Sequence, residues 1–94
     1  MQWDESPNAG FSTGKPWIKV NENFRNVNVK QSLQQKNSIL NTYKSLLALR
    51  NSEKPLQYGI YEKLELTDSR ILFTRSYEGD KITVIVNFCN EAKI

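Results

Sequence analysis

The chain has 94 residues, with 38% apolar and 11% aromatic side chains and a formal charge of +3. That length allows one small domain or a piece of a larger one, and the aromatic content with low net charge excludes an intrinsically disordered polymer. Histidine is absent and cysteine occurs once, which excludes histidine-dependent catalytic triads, most zinc sites and any internal disulfide.

The basic residues, from Lys15 to Lys93, are scattered and interrupted throughout by acids. A phosphate-binding surface needs clustered charge, so no nucleic-acid partner is expected. The apolar runs are short, so no membrane span is expected, and the Met1-Gln2-Trp3-Asp4 start is not a signal peptide. A lone cysteine, Cys89, suits a reducing compartment and points to the cytoplasm. Following Ile85, Val86 and Phe88, it reads as a small core or strand-end residue.

Three textures follow one another. From Met1 to about Asn28 the chain is irregular and aromatic, with turn signals at Ser6-Pro7-Asn8, Ala9-Gly10, Thr13-Gly14 and Lys15-Pro16. Long loops of this kind are usually functional. Val29 to Gln35 reads as a short helix with Leu33 facing inward. Asn37 or Ser38 then starts a second helix, carrying Ile39, Leu40, Tyr43, Leu46, Leu47 and Arg50 at helical spacing and Leu49 beside them. Asn41, Lys44 and Ser45 fall on its other side. It should end near Asn51, where Ser52-Glu53-Lys54-Pro55 supplies a turn and a breaker.

Strands follow at Tyr58–Leu66 and Ile71–Tyr77, then a hairpin turn at Glu78-Gly79-Asp80-Lys81, then Ile82–Phe88. The β-branched run Ile82 to Val86 predicts a central strand buried on both faces. One helix over three antiparallel strands is a thin two-layer unit, and such a strand needs neighbours on both sides. The expectation is therefore a piece of something longer.

Glycines 10, 14, 59 and 79 form neither a phosphate loop nor a dinucleotide fingerprint. No cofactor or metal is called for. Asp4 and Glu5, beside Trp3, suggest a sugar-binding loop; loop capping is the plainer reading. Glycoside hydrolysis needs two carboxyl groups facing each other, roughly 5–9.5 Å apart, and adjacent loop residues rarely converge so. Trp3, Phe11 and Trp17 can stack on sugars or pin the loop to a scaffold.

The segment MQWDESPNAGFSTGKPWIKVN, at residues 1–21, resembles the stretch after the eighth barrel strand in α-glucosidases of the oligo-1,6-glucosidase type. Those belong to the α-amylase superfamily, family thirteen of the glycoside hydrolases. The matching positions are Met1-Gln2-Trp3-Asp4, Asn8-Ala9-Gly10-Phe11, Gly14, Pro16-Trp17-Ile18 and Val20-Asn21. NVNVKQSLQQKNSILNTYKSLLALR and YGIYEKL are similar to the family's approach to its last barrel helix and to the entry of its C-terminal β domain.

The resemblance implies an α+β chain: the end of a (β/α)8 barrel, rim loop and last helix, over 1–54, then the first antiparallel strands of an incomplete C-terminal β-sandwich over 55–94. It implies a retaining glycosidase acting on short α-glucosides. Its nucleophilic aspartate, acid/base glutamate and second aspartate follow the fourth, fifth and seventh barrel strands, so none matches a position here. No catalytic residue is assigned, and this chain alone should be inert. Trp3 and Asp4 would lie on the substrate rim, with Phe11 and Trp17 as loop anchors. The alternative is a stand-alone module binding sugar or another protein. Self-association through the helix stripe and an open strand edge is also expected.

Overall fold

A computed structural model describes residues 1–91. Two 3-10 turns, Pro7–Gly10 and Glu22–Arg25, precede helices α1 (Val29–Gln34), α2 (Ile39–Ser52) and α3 (Lys54–Tyr58). Strands β1 (Ile60–Leu66), β2 (Arg70–Tyr77) and β3 (Asp80–Asn87) follow. The class is α+β: helices, then one three-stranded antiparallel sheet in the order β1-β2-β3. The chain divides into two compact units, Met1–Leu47 and one beginning at Ala48, and each is taken by itself.

In the first unit, α1 starts where Asn28 accepts from the Gln31 N–H through its side-chain oxygen at 2.8 Å. Asn28 is only 4% exposed. Its Nδ2 also donates to the carbonyls of Phe24 (2.8 Å) and Arg25 (3.4 Å), which ties the preceding 3-10 turn to the helix start. α1 is one residue shorter than its apolar spacing predicts, and Leu33, expected to face inward, is exposed. A helix of six residues is held by its caps rather than by a buried stripe.

Ser38 caps α2, accepting from the Asn41 N–H at 3.1 Å. Asn41 does not point to solvent as its helical position suggested. Its side-chain amide reaches the carbonyls of Ser32, Leu33 and Gln35 at 2.9–3.1 Å and closes the C-terminal end of α1. The apolar stripe of α2 is there in sequence, yet Ile39, Tyr43, Leu46, Leu47 and Leu49 are exposed.

α2 ends at Ser52, within one residue of the expected Asn51, but in the second unit Pro55 does not lead into a strand. It stands in the first turn of α3, where its missing N–H leaves no helical bond unmade. Tyr58 therefore closes a helix instead of opening β1. Gly59 joins the two, with its N–H donating to the Pro55 carbonyl at 3.0 Å. Arg75 on β2 binds this junction: Nη1 donates to the Leu56 carbonyl at 2.5 Å, and Nε and Nη2 donate to the Gly59 carbonyl at 3.2 and 2.8 Å. Its guanidinium lies 5.1 Å from the Tyr61 ring centroid.

Glu78 and Gly79 both take positive φ between the paired residues Tyr77 and Asp80, a two-residue hairpin that matches sheet twist. β1 carries a register shift between Tyr61 and Lys63, leaving Glu62 as the extra residue of a bulge. Glu62 accepts from Ser76 Oγ at 2.7 Å and pairs with Lys81 Nζ at 2.8 Å, linking all three strands. Lys81 and Ser76 hold the Glu62 carboxyl below its ordinary range.

β3 is an edge strand, not the central one. β2 sits between its neighbours and is half-buried along its whole length, whereas β3 is largely exposed. β-branched composition identifies a strand but not its place in the sheet.

Among the described residues few side chains are enclosed, Ala9, Asn28 and Pro55 being buried. The accessible area is 7909 Å². One compact protein of this mass would expose about 5,600 Å², and even two separate compact halves only about 6,700 Å². Large apolar side chains contribute to the surplus, Trp17, Ile39, Ile60 and Phe88 among them.

Candidate functional site

The aromatic loop of the first unit is built around the backbone of Trp3. Its N–H donates to the Ala9 carbonyl at 2.8 Å, and its own carbonyl accepts from the Lys30 N–H at 2.9 Å. The Gln2 carbonyl accepts from Val29 N–H at 3.0 Å. Two N–H groups at the start of α1, which the helix leaves without partners, are satisfied by this segment. The Gln2 side chain adds bonds to Asn23 Oδ1 (3.2 Å) and to the Val27 carbonyl.

Asn8, Ala9 and Gly10 have φ of 56°, 55° and 68°. Three left-handed residues in succession are unusual, and for alanine that region is unfavourable. Bonds on both sides hold the turn. Asn8 Nδ2 donates to the carbonyls of Ser12 (3.0 Å) and Gly14 (2.9 Å). The buried Ala9 carbonyl accepts from both Trp3 and Asp4.

Asp4 turns inward. Its Oδ1 accepts from Ser6 N–H at 2.9 Å and from Ser6 Oγ at 2.5 Å. Those two bonds, the hydroxyl's first, hold its carboxyl below the ordinary carboxylate value. Glu5 pairs with Lys30 Nζ at 2.6 Å, which lowers the Glu5 carboxyl and raises the Lys30 ammonium. A glycosidic general acid needs the opposite shift, a carboxyl kept protonated near neutrality. In this structure the two carboxylates accept hydrogen bonds from Ser6 and pair with Lys30.

Trp3 is 46% exposed, Phe11 66% and Trp17 94%. Phe11 and Trp17 both border a hollow of about 530 Å³, with Met1, Ile18 and Val20 among its other apolar walls. Trp3 and Asp4 are thus brought together with the Ala9 turn. Phe11 and Trp17 border that hollow while remaining largely exposed. Asn28 and Ala9 organise this loop and were not singled out by sequence as site residues. Asn28 carried a signal, since Asn followed three residues later by Gln is a helix-start pattern. Ala9 was read as part of the Ala9-Gly10 turn signal, but nothing in an alanine points to its left-handed conformation.

Among the described residues no helix is long and apolar enough to cross a membrane, and no cluster of three or more His, Cys, Asp or Glu could hold a metal ion.

Residues 1–59 match the family model described as alpha amylase, catalytic domain. An oligo-1,6-glucosidase of Bacillus cereus is 46% identical over 92 residues, covering 97% of this chain and 16% of its own length. A glucan 1,6-alpha-glucosidase of Streptococcus pneumoniae is 40% identical over 91 residues, covering 97% of this chain and 17% of itself. Among solved structures, an isomaltulose synthase of Erwinia rhapontici, in complex with its natural substrate sucrose, superposes with a TM-score of 0.85 at 37% identity, over 96% of this chain and 16% of its own. The chain therefore spans about one sixth of the length of the relatives it matches. With the catalytic-domain model covering more than half of it, this chain belongs to the α-amylase family, on the α-glucosidase side shared with the oligo-1,6-glucosidases.

Proposed function

We propose that this chain is the C-terminal part of a glycoside hydrolase acting on short α-glucosides by a retaining mechanism. Residues 1–54 would supply the last rim loop and helix of a (β/α)8 catalytic barrel, and residues 55–94 the first strands of a C-terminal β-sandwich. The observation carrying this reading is the 46% identity to an oligo-1,6-glucosidase, which continues over nearly the whole chain. The exposed apolar face of α2 and the thin core are what a segment made to rest on a larger body would show.

Trp3 and Asp4 would stand on the substrate rim, with Phe11 and Trp17 anchoring the loop against barrel surface. Their exposed rings fit that role, since an anchor's socket lies on the other partner. Asp4 and Glu5 are engaged by Ser6 and Lys30, which supports assigning acid/base work to carboxylates elsewhere in the enzyme. The single cysteine favours the cytoplasm.

The test is an assay of the purified 94-residue chain with a chromogenic α-glucoside. No turnover is expected, and turnover above background refutes the reading. The exposed tryptophans also favour a second reading, a stand-alone module binding sugar or protein. Titration with isomaltose, followed by tryptophan fluorescence, separates the two: a saturable change at millimolar sugar supports the module.

A further inference from the structure

We infer that Asp4 is a positioning residue, a clasp that closes over Gly10 and fixes the Trp3 backbone at the rim, and that it does not itself touch the sugar. The inference rests on the rim placement proposed above and refines it. Four observations carry it. Asp4 Oδ1 is engaged by both the N–H and the hydroxyl of Ser6. The carboxylate lies flat against Gly10, where an added Cβ would come within 2.5 Å of Oδ1, 2.8 Å of Cγ and 2.9 Å of Oδ2. The Asp4 and Trp3 N–H groups converge on one acceptor, the carbonyl of Ala9. That carbonyl points at them only because Asn8, Ala9 and Gly10 hold left-handed φ.

The parts depend on one another. Without the carboxylate, Ser6 is released and nothing covers Gly10, so the left-handed turn relaxes toward the conformations alanine prefers. The Ala9 carbonyl then swings away and Trp3 loses its N-side tether, while its C-side tether to Lys30 remains. The ring of Trp3 would stay on the rim but lose its fixed angle. For a group that positions rather than binds, an amide of the same shape should serve almost as well, because Oδ1 still accepts from Ser6.

The experiment has two arms. In the first, amide hydrogen exchange is measured on this chain. Asp4→Ala should speed exchange at residues 3 and 4 by about tenfold relative to the β2 amides, and Asp4→Asn by less than about threefold. Gly10→Ala, which evicts the carboxylate, should reproduce Asp4→Ala. Unchanged exchange in Asp4→Ala overturns the inference. In the second arm, the same substitutions enter the enzyme carrying this segment, read as KM and kcat on isomaltose. Asp4→Asn should leave both within about twofold, while Asp4→Ala raises KM more than it lowers kcat. Equal losses for Asn and Ala, with the first arm's protection intact, mean that the carboxylate binds sugar and overturn the inference. Absence of any α-glucoside turnover in the unsubstituted enzyme defeats the functional proposal instead, and the exchange arm still decides the clasp.

Discussion

Gly59→Ala should be among the most damaging single-methyl additions in the second unit. The backbone at Gly59 has φ −65° and ψ 150°, which alanine adopts freely, so the penalty is steric and not conformational. An added Cβ would lie 2.3 Å from the Pro55 carbonyl oxygen and 3.0 Å from the Ser76 carbonyl oxygen. Both neighbours are backbone, one at the head of α3 and the other on the central strand. One must retreat by roughly 1 Å, straining the packing by about 1–2 kcal/mol. The same movement stretches the Gly59 N–H to Pro55 bond and the Arg75 fork on the Gly59 carbonyl, adding about 1–2 kcal/mol. A loss of about 3 kcal/mol is a large share of what a domain this small holds.

The assay is urea unfolding of the sheet, followed by far-ultraviolet circular dichroism, with Gly79→Ala as control. Gly79 has φ +90° and open space where its Cβ would go, so alanine there meets only the left-handed penalty, about 1 kcal/mol. Equal unfolding midpoints for the two variants would refute the steric account.

Three further outcomes are expected. Asn28→Ala should cost about 1–2 kcal/mol, because it removes the cap of α1 and the donor to two carbonyls; the urea midpoint of the first unit reports it, and Asn28→Asp should recover the cap alone. Asp4, Glu5 and Glu62 all have depressed carboxyls from ordinary values of 3.8, 4.5 and 4.5, so their contribution is present above those values and lost as pH falls through the lower folded ones. Urea midpoints measured between about pH 5 and about pH 2 should fall, and Glu62→Gln should flatten that fall for the sheet. Finally, light scattering should find the isolated chain associated at micromolar concentrations, and Leu46→Lys on the exposed stripe of α2 should reduce the association without lowering helix content.

Much of the architecture was legible because its causes are local. Ser38 before an apolar helical stripe gave α2, and glycine after Glu78 gave the hairpin. Pro55 misled because proline stops a helix from inside yet suits its first turn, and only Glu53 as the extended residue before Lys54 separates the two cases. The rank of β3 was not legible, since a β-branched run looks the same at a sheet's centre and at its edge. The loop showed its turn residues but not their handedness. Trp3 and Asp4 were visible as residue types in an irregular aromatic segment; the Ala9 carbonyl that gathers their amides is a backbone feature with no letter of its own.

The extra residue at Glu62 changes how β1 must be read. Tyr61 pairs with Arg75, Leu64 with Phe73 and Leu66 with Ile71, so Tyr61 and Leu64 share one side of the sheet although they are an odd number of positions apart. Tyr61 accordingly meets Phe73 edge-on at 5.5 Å. Excising Glu62 would place Tyr61 directly before Lys63 and two positions from Leu64, so the strand would pair without a bulge and Tyr61 would keep its face; pairing Glu62 into the ladder instead would turn over every side chain before it. That single insertion is thus a phase marker, and homologous strands can be aligned correctly only if the gap is set there.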